Sequence, residues 1–344
     1  MAKQLKSDIE VFADIPFWVF HSDHGEPELA HVAIAELVAL SGKISVDAGN
    51  GKKYPIQIES FPDASKFKHL EKKVGRSSRI PCSFLRLHSQ LSYSTDDLKE
   101  IEYSGPRKIS LGEREQVFLH VVCYELHATL IDLFLASSIA RPGAFYLWQA
   151  WLFADRKFAG NQHGAMTSFR DARKRARELQ WPPIEMLKTG DVYKWLQEIP
   201  GFFGRRSSSR VGRAIAALTH LVTMRSRNEN AFALVWALLG LEAIYCNGNI
   251  GLKSQLLEKS EAFLGARKEN KKRFGWMYDF RSRLIHGDMD IFFQHNGDDA
   301  GDEFEKMWNE INECEALATA VLLATLQRLC VKKIYSIEFQ YSLK

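Results

Sequence analysis

The chain has 344 residues, of which 46% are apolar and 26% charged. That balance suits a globular protein with a sizeable core, and it excludes a disordered tail, a collagen and a disulfide-stapled mini-scaffold. Formal net charge is only +4, yet the charge is unevenly placed. Between Arg141 and Arg213 stand fourteen Lys/Arg against six Asp/Glu. Such a basic stretch within an otherwise acidic chain is the footprint a phosphate backbone would select.

The five cysteines, Cys82, Cys123, Cys246, Cys314 and Cys330, are odd in number and form no CxxC pair. A reducing compartment is the expectation, with neither a disulfide framework nor a zinc ribbon. The charged opening MAKQLKSDIEVF carries no apolar signal core. The longest apolar run, Ala231 to Cys246, is broken by Glu242 and is shorter than a bilayer span. These readings point to a soluble cytoplasmic protein with no membrane partner.

In chain order, residues 1–112 read as a β-rich domain. Short apolar stretches at 17–20, 43–46, 54–61 and 80–87 alternate with turn formers such as Asp47-Ala-Gly-Asn-Gly51. One helix is expected within it, from Glu28 to Leu40. After Gly112 the apolar period becomes helical. Residues 113–212 read as a helical connecting region with helices at 113–137, 144–158, 166–178 and 191–198. Its basic segments are RDARKRAR (Arg170–Arg177) and GRRSSSRVGR (Gly204–Arg213). Arg173, Lys174, Arg175, Arg205, Arg206 and Arg210 are the candidate RNA-binding residues. Residues 213–334 read as a bundle of four or five helices, one with Asn228 as a possible N-cap. The fold class expected is α+β, a β-rich N-terminal domain followed by a mostly helical region.

Chemistry concentrates on the helix expected from Glu269 to His286. Its stripe Phe274, Tyr278, Arg281, Ile285 sets a guanidinium on an apolar face, where an unpaired charge would be costly. The preceding helix has the mirror anomaly, Glu242 on the stripe Phe232, Val235, Leu239, Glu242, Tyr245. The two are expected to meet, Glu242 orienting Arg281. His286 follows at the helix end before Gly287, where the negative end of a helix dipole favours a protonated imidazole. An Arg and a His together suit attack of a ribose 2′-hydroxyl on its own phosphate, and that reaction needs no metal or other cofactor.

The stretch Tyr278-Asp-Phe-Arg281-Ser-Arg-Leu-Ile-His286-Gly-Asp288, with VWALLGLEAI (Val235–Ile244) upstream, resembles the signature of HEPN domains, the Apea-like branch above all. The resemblance covers residues 213–334. It implies a four- or five-helix bundle, metal-independent RNA cleavage by Arg281 and His286 where two copies dimerise, and a role in prokaryotic RNA targeting or antiphage defence. Glu242, Ser282 and Asp279 would be supporting polar neighbours. Ser282 stands where many active members carry Asn, Asp or His, a feature suited to the alternative of a non-catalytic RNA-binding or protein-interaction module.

The spacing alone is not specific. Arg114–His120, Arg156–His163 and Arg213–His220 satisfy it too, and only Arg281–His286 joins a helix end, a following Gly-Asp and a striped Arg. His21 and His24 lack a third metal ligand. Asp288, Asp290, Asp298 and Asp299 read as a solvated loop before they read as a magnesium site. No GxxxxGK[ST], GxGxxG or GxSxG motif occurs.

Overall fold

The computed structural model describes residues 6–18, 27–48, 51–61, 82–101, 108–144, 146–155, 157–166, 169–224, 230–248, 250–267, 271–288 and 301–339. The architecture is α+β. In place of three consecutive segments, the chain makes two compact units, one of residues 1–135 and 144–165, the other of 136–143 and 166–344.

The first unit is built on strands β1 (Lys6–Trp18), β2 (Ile44–Asp47), β3 (Lys53–Phe61), β4 (Cys82–Ser94), β5 (Tyr146–Ala154) and β6 (Lys157–Met166), in sheet order β2-β3-β4-β1-β5-β6. β1 and β4 pair antiparallel along their whole length, from Lys6 opposite Ser94 to Trp18 opposite Cys82. Helices α1 (Pro27–Val38), α2 (Thr95–Lys99) and α3 (Leu111–Ala140) complete the unit, the last residues of α3 belonging to the second. β3 follows the alternation its sequence announces, with Tyr54, Ile56 and Ile58 buried between exposed Lys53, Pro55, Gln57 and Glu59. In β1 both faces are buried. Val11, Ala13 and Ile15 fill one side, Phe12 and Asp14 the other, and Asp14 is sealed by a two-point bond from Arg86 at 2.6 and 2.8 Å.

The helix expected over 144–158 is not there; β5 occupies that stretch and pairs with β1. Leu147, Ala150, Trp151, Leu152, Phe153 and Ala154 are all buried, so residues of both strand faces are apolar. An apolar run of this kind has no period of its own, and the neighbouring strand decides its conformation. Asp155, with φ of 48°, turns the chain from β5 into β6.

The second unit is helical: α4 (Arg170–Glu178), α5 (Thr189–Gln197), α6 (Arg210–Met224), α7 (Asn230–Tyr245), α8 (Leu252–Leu264), α9 (Lys271–His286) and α10 (Gly301–Val331). The last five fall within the 213–334 region read as a bundle, apart from the opening residues of α6. No strand occurs among the described residues from Asn230 to His286. Asn228 lies outside the described residues. The core is the inner face of α10, including Leu317, Val321, Leu322 and Leu326, against α7 and α4, while α7 packs in turn on α6. At Gly240 α7 lies close to both α10 and α6. A Cβ there would stand 2.9 Å from Leu322 Cδ2 and 3.3 Å from Ala217 Cβ, so a side chain would force the helices apart.

Gln327, buried on α10, ties two further segments to this core. Its Nε2 donates to the carbonyls of Ile139 at 2.7 Å and Glu185 at 2.8 Å, and its Oε1 accepts from the Glu185 amide at 2.9 Å. All the main hydrogen-bonding capacity of that amide is spent on backbone groups that have no helix or sheet to satisfy them.

Among the described residues two helical stretches are long and apolar enough to cross a membrane, Leu111–Ala140 and Glu305–Val331. Counting only uninterrupted apolar runs passes over both, because each tolerates a few charges. The second is 89% buried within the fold and the first 50%, so Glu305–Val331 is the core helix of the second unit.

Candidate functional site

The site is set by where α9 ends and which way it faces. Gly287 has φ of 76°, and the Asp288 amide donates to the Arg283 carbonyl at 2.9 Å. This six-to-one closure is a Schellman stop, and its left-handed position is one that glycine occupies without strain. The buried face of α9 is Phe274, Met277 and Phe280, each at 1% exposure or less. That differs from the expected stripe. Tyr278 and Arg281 lie on the flank of the buried face, and Ile285 is 50% exposed. Two apolar lines with helical spacing coexist here, and only packing selects between them.

α7 shows the same shift. Its apolar residues run round the whole helix, and the core takes Leu234, Leu238, Leu241 and Tyr245. Of the expected stripe only Tyr245 is deeply buried; Phe232 is 61% exposed and Leu239 38%. Trp236 is half-buried and stacks on His220 of α6 at 4.1 Å and 15° between planes.

The two flanks nevertheless bring Glu242 and Arg281 together. Arg281 Nη2 lies 3.6 Å from Glu242 Oε2, with side chains 18% and 14% exposed. At that separation the contact is an ion pair and not a hydrogen bond. Arg281 Nε and Glu242 Oε1 are enclosed without a hydrogen-bond partner. The guanidinium also lies 5.9 Å from the centre of the Tyr278 ring. Burial, and after it the Glu242 carboxylate, pushes the Tyr278 phenol up to about 12. Tyr278 is thus a member of the cluster that sequence reasoning treated only as stripe filler. Nearby Cys246 is held protonated, its thiol pushed up to about 11 by burial and by Glu242, which removes it as a nucleophile.

The other expected site residues divide. His286 is exposed at the end of α9. It stands five helical steps on from Arg281, so the two side chains leave the axis roughly 140° apart. Ser282 is half-buried beside Arg281. Asp279 does not support Arg281. It sits about 200° away around the helix and is taken by Lys253 of α8 at 2.6 Å.

The basic set divides as well. Arg205 and Arg206 are exposed on the loop before α6, Arg205 at φ of 53° and 5.8 Å from the Phe202 ring, with Phe203 exposed beside them. Lys174 is exposed and only loosely near Glu178, at 3.9 Å, while Arg173 is half-buried. Arg210 and Arg175 are committed elsewhere. Arg210 Nη1 donates to the carbonyls of Ile244 at 3.2 Å and Cys246 at 3.0 Å, capping the C-terminal end of α7. Arg175 donates to Glu178 at 3.1 Å and pairs with Glu313 at 3.0 Å. A tally of charge along the chain carries no information on which cations already have partners.

His21, His24, Asp290, Asp298 and Asp299 lie outside the described residues; Asp288 is exposed. Among the described residues no group of three His, Cys, Asp or Glu side chains could hold a metal ion. An open groove of about 540 Å3 is lined by Trp276, Asp302, Glu305, Lys306, Asn309, Glu310 and Glu313. Its carboxylates make it a poor seat for phosphate. Comparison with protein-family models, with curated proteins and with solved structures finds no match to this chain.

Proposed function

We propose that this chain is a metal-independent endoribonuclease of the HEPN type, acting in the cytoplasm as a homodimer through its C-terminal helices. The observation that carries the reading is Arg281, a mostly enclosed guanidinium that forms only a 3.6 Å ion pair. Its hydrogen-bonding capacity is unspent, which is the condition an oxoanion needs. His286 stands one and a half turns further along the same helix. In the reaction, the 2′-oxygen attacks the adjacent phosphorus while an imidazole takes its proton. The 5′-oxygen then leaves with a proton, giving a 2′,3′-cyclic phosphate and a 5′-hydroxyl. Arg281 offsets the charge that builds on the phosphorane oxygens.

The angular offset between Arg281 and His286 favours a site made by two copies, each lending one group to the phosphate held by the other. The exposed apolar line of α7, with Phe232 and Leu239, lies on the same helix as Glu242 and supplies a surface for the second copy. RNA targeting or antiphage defence is the setting that the sequence resemblance suggests. Ser282 favours a second reading, a module that binds RNA or protein without cutting.

The test is direct. The purified chain, given single-stranded RNA in EDTA, should yield fragments ending in 2′,3′-cyclic phosphate, and a 2′-deoxy substitution at the cut position should block the cut. Cleavage that requires added magnesium, or 3′-hydroxyl products, would overturn the mechanism. Binding without cleavage would favour the module.

RNA affinity should fall by orders of magnitude between about 50 and 200 mM salt, since neutralised phosphates release counterions. The double variant Arg205→Glu/Arg206→Glu should weaken binding equally for unrelated sequences and flatten that salt dependence. An unaltered salt slope would remove this loop from the interface. Arg210→Glu should instead destabilise the fold, because it uncaps α7.

A further inference from the structure

The ion pairs of the second unit are not alike. The enclosed Arg267–Glu261 pair closes to 2.8 Å, and Lys253–Asp279 to 2.6 Å. Glu242 and Arg281 are less exposed than Lys253–Asp279 and about as enclosed as Arg267–Glu261, yet stand 3.6 Å apart with Glu242 Oε1 unsatisfied. A pair built only to hold two helices in register gains from closing to hydrogen-bond distance. This one gives up that gain, and Arg281 can therefore turn from Glu242 without breaking a hydrogen bond.

Glu242 has a second partner within reach. Its carboxylate is hydrogen-bonded by the Tyr278 hydroxyl, whose ring lies 5.9 Å from the guanidinium, and that phenol stays protonated at any physiological pH, so it goes on donating to the carboxylate when the guanidinium moves. Two anions, the carboxylate and an RNA phosphate, cannot share one guanidinium cheaply at this depth, because like charges repel strongly where water is scarce. One of them must withdraw.

We propose that Glu242 is a resident counter-anion that occupies Arg281 in the absence of RNA, and that Tyr278 receives Glu242 when a phosphate displaces it. The inference rests on Arg281 being the phosphate-binding group. It makes Glu242 a restraint on the site and Tyr278 a positioning residue for its release.

The test measures affinity with no cleavage step. A fluorescein-labelled 2′-O-methyl RNA, which lacks the attacking hydroxyl, is titrated with the full chain by fluorescence anisotropy. Glu242→Gln should bind about tenfold tighter than the unaltered chain, the factor that removing 1.4 kcal/mol of competition gives. Tyr278→Phe should bind more weakly, since Glu242 then has only Arg281 to return to, and Arg281→Met should bind most weakly. Glu242→Met should tighten binding too, which covers the case of a glutamine that disturbs the fold. If both Glu242 variants bind no tighter than the unaltered chain while Arg281→Met is weak, Glu242 aligns the guanidinium and the inference fails alone. If Arg281→Met binds as well as the unaltered chain, the reading of Arg281 fails with it.

Discussion

Arg281→Ala should reduce RNA cleavage by at least about a hundredfold, the scale on which a single charge-stabilising donor acts in a transition state. It should also lower stability. Truncation leaves the Glu242 carboxylate 14% exposed with no cation beside it. A fully buried pair broken in this way costs about 3–5 kcal/mol; the longer distance here and the nearby Tyr278 hydroxyl bring the expected loss to about 2–3 kcal/mol. His286→Ala should lose cleavage by about 10²–10⁴, as the removal of a general acid or base does. Its stability should change by less than about 0.5 kcal/mol, since an exposed helix-end imidazole packs against little. The double variant Glu242→Gln/Arg281→Met should recover most of the stability and none of the activity. Cleavage rates and urea midpoints on the same four proteins check all of this. Full activity in Arg281→Ala would end the proposed mechanism, and an unchanged midpoint would show that the pair contributes nothing to the fold.

The larger effect on folding should come from a residue with no part in the chemistry. Gln327→Leu keeps the side-chain volume but strands three backbone groups, the carbonyls of Ile139 and Glu185 and the Glu185 amide. Each buried group left without a partner costs about 1–3 kcal/mol, so a loss of about 3–9 kcal/mol is expected for the three. That is a large part of the stability of an ordinary domain. Gln327→Glu retains the acceptor and loses the donors, and should fall between. Thermal and urea midpoints read the difference; a Gln327→Leu midpoint equal to that of the unaltered chain would mean that the three groups find water.

How far the sequence anticipates the structure differs from element to element. The end of α9 is legible to the residue, His286, because Gly287 after it takes the left-handed conformation that stops a helix. The meeting of Glu242 with Arg281 was also legible, since two charges on two apolar helices in one bundle have few other ways to be satisfied. The burial of their faces is not legible, because α7 is apolar all round and α9 offers two competing lines. β5 has no apolar period to separate strand from helix, and its partner β1 lies more than a hundred residues earlier in the chain. The partners of Asp279, Arg175 and Arg210 were illegible for a simpler reason: Lys253, Glu313 and the carbonyls of α7 are brought to them only by folding.

The path of the chain between the two units has a consequence for the order in which it can fold during synthesis. The sheet of the first unit seats β5 beside β1 and β6 beside β5, yet residues 136–143, which belong to the second unit, are made before them. Until residue 154 has emerged, β1 pairs on one side with β4 and presents its other edge, apolar on both faces, with open backbone donors and acceptors. A nascent chain of about 140 residues therefore carries a long unguarded strand edge, the feature most prone to pairing with a neighbouring chain. For the same reason no single cut parts the two units cleanly, because residues 136–143 of the second stay with the first. A fragment ending at residue 112 or 143 lacks β5 and should aggregate, whereas one extended through residue 166 contains every strand of the sheet.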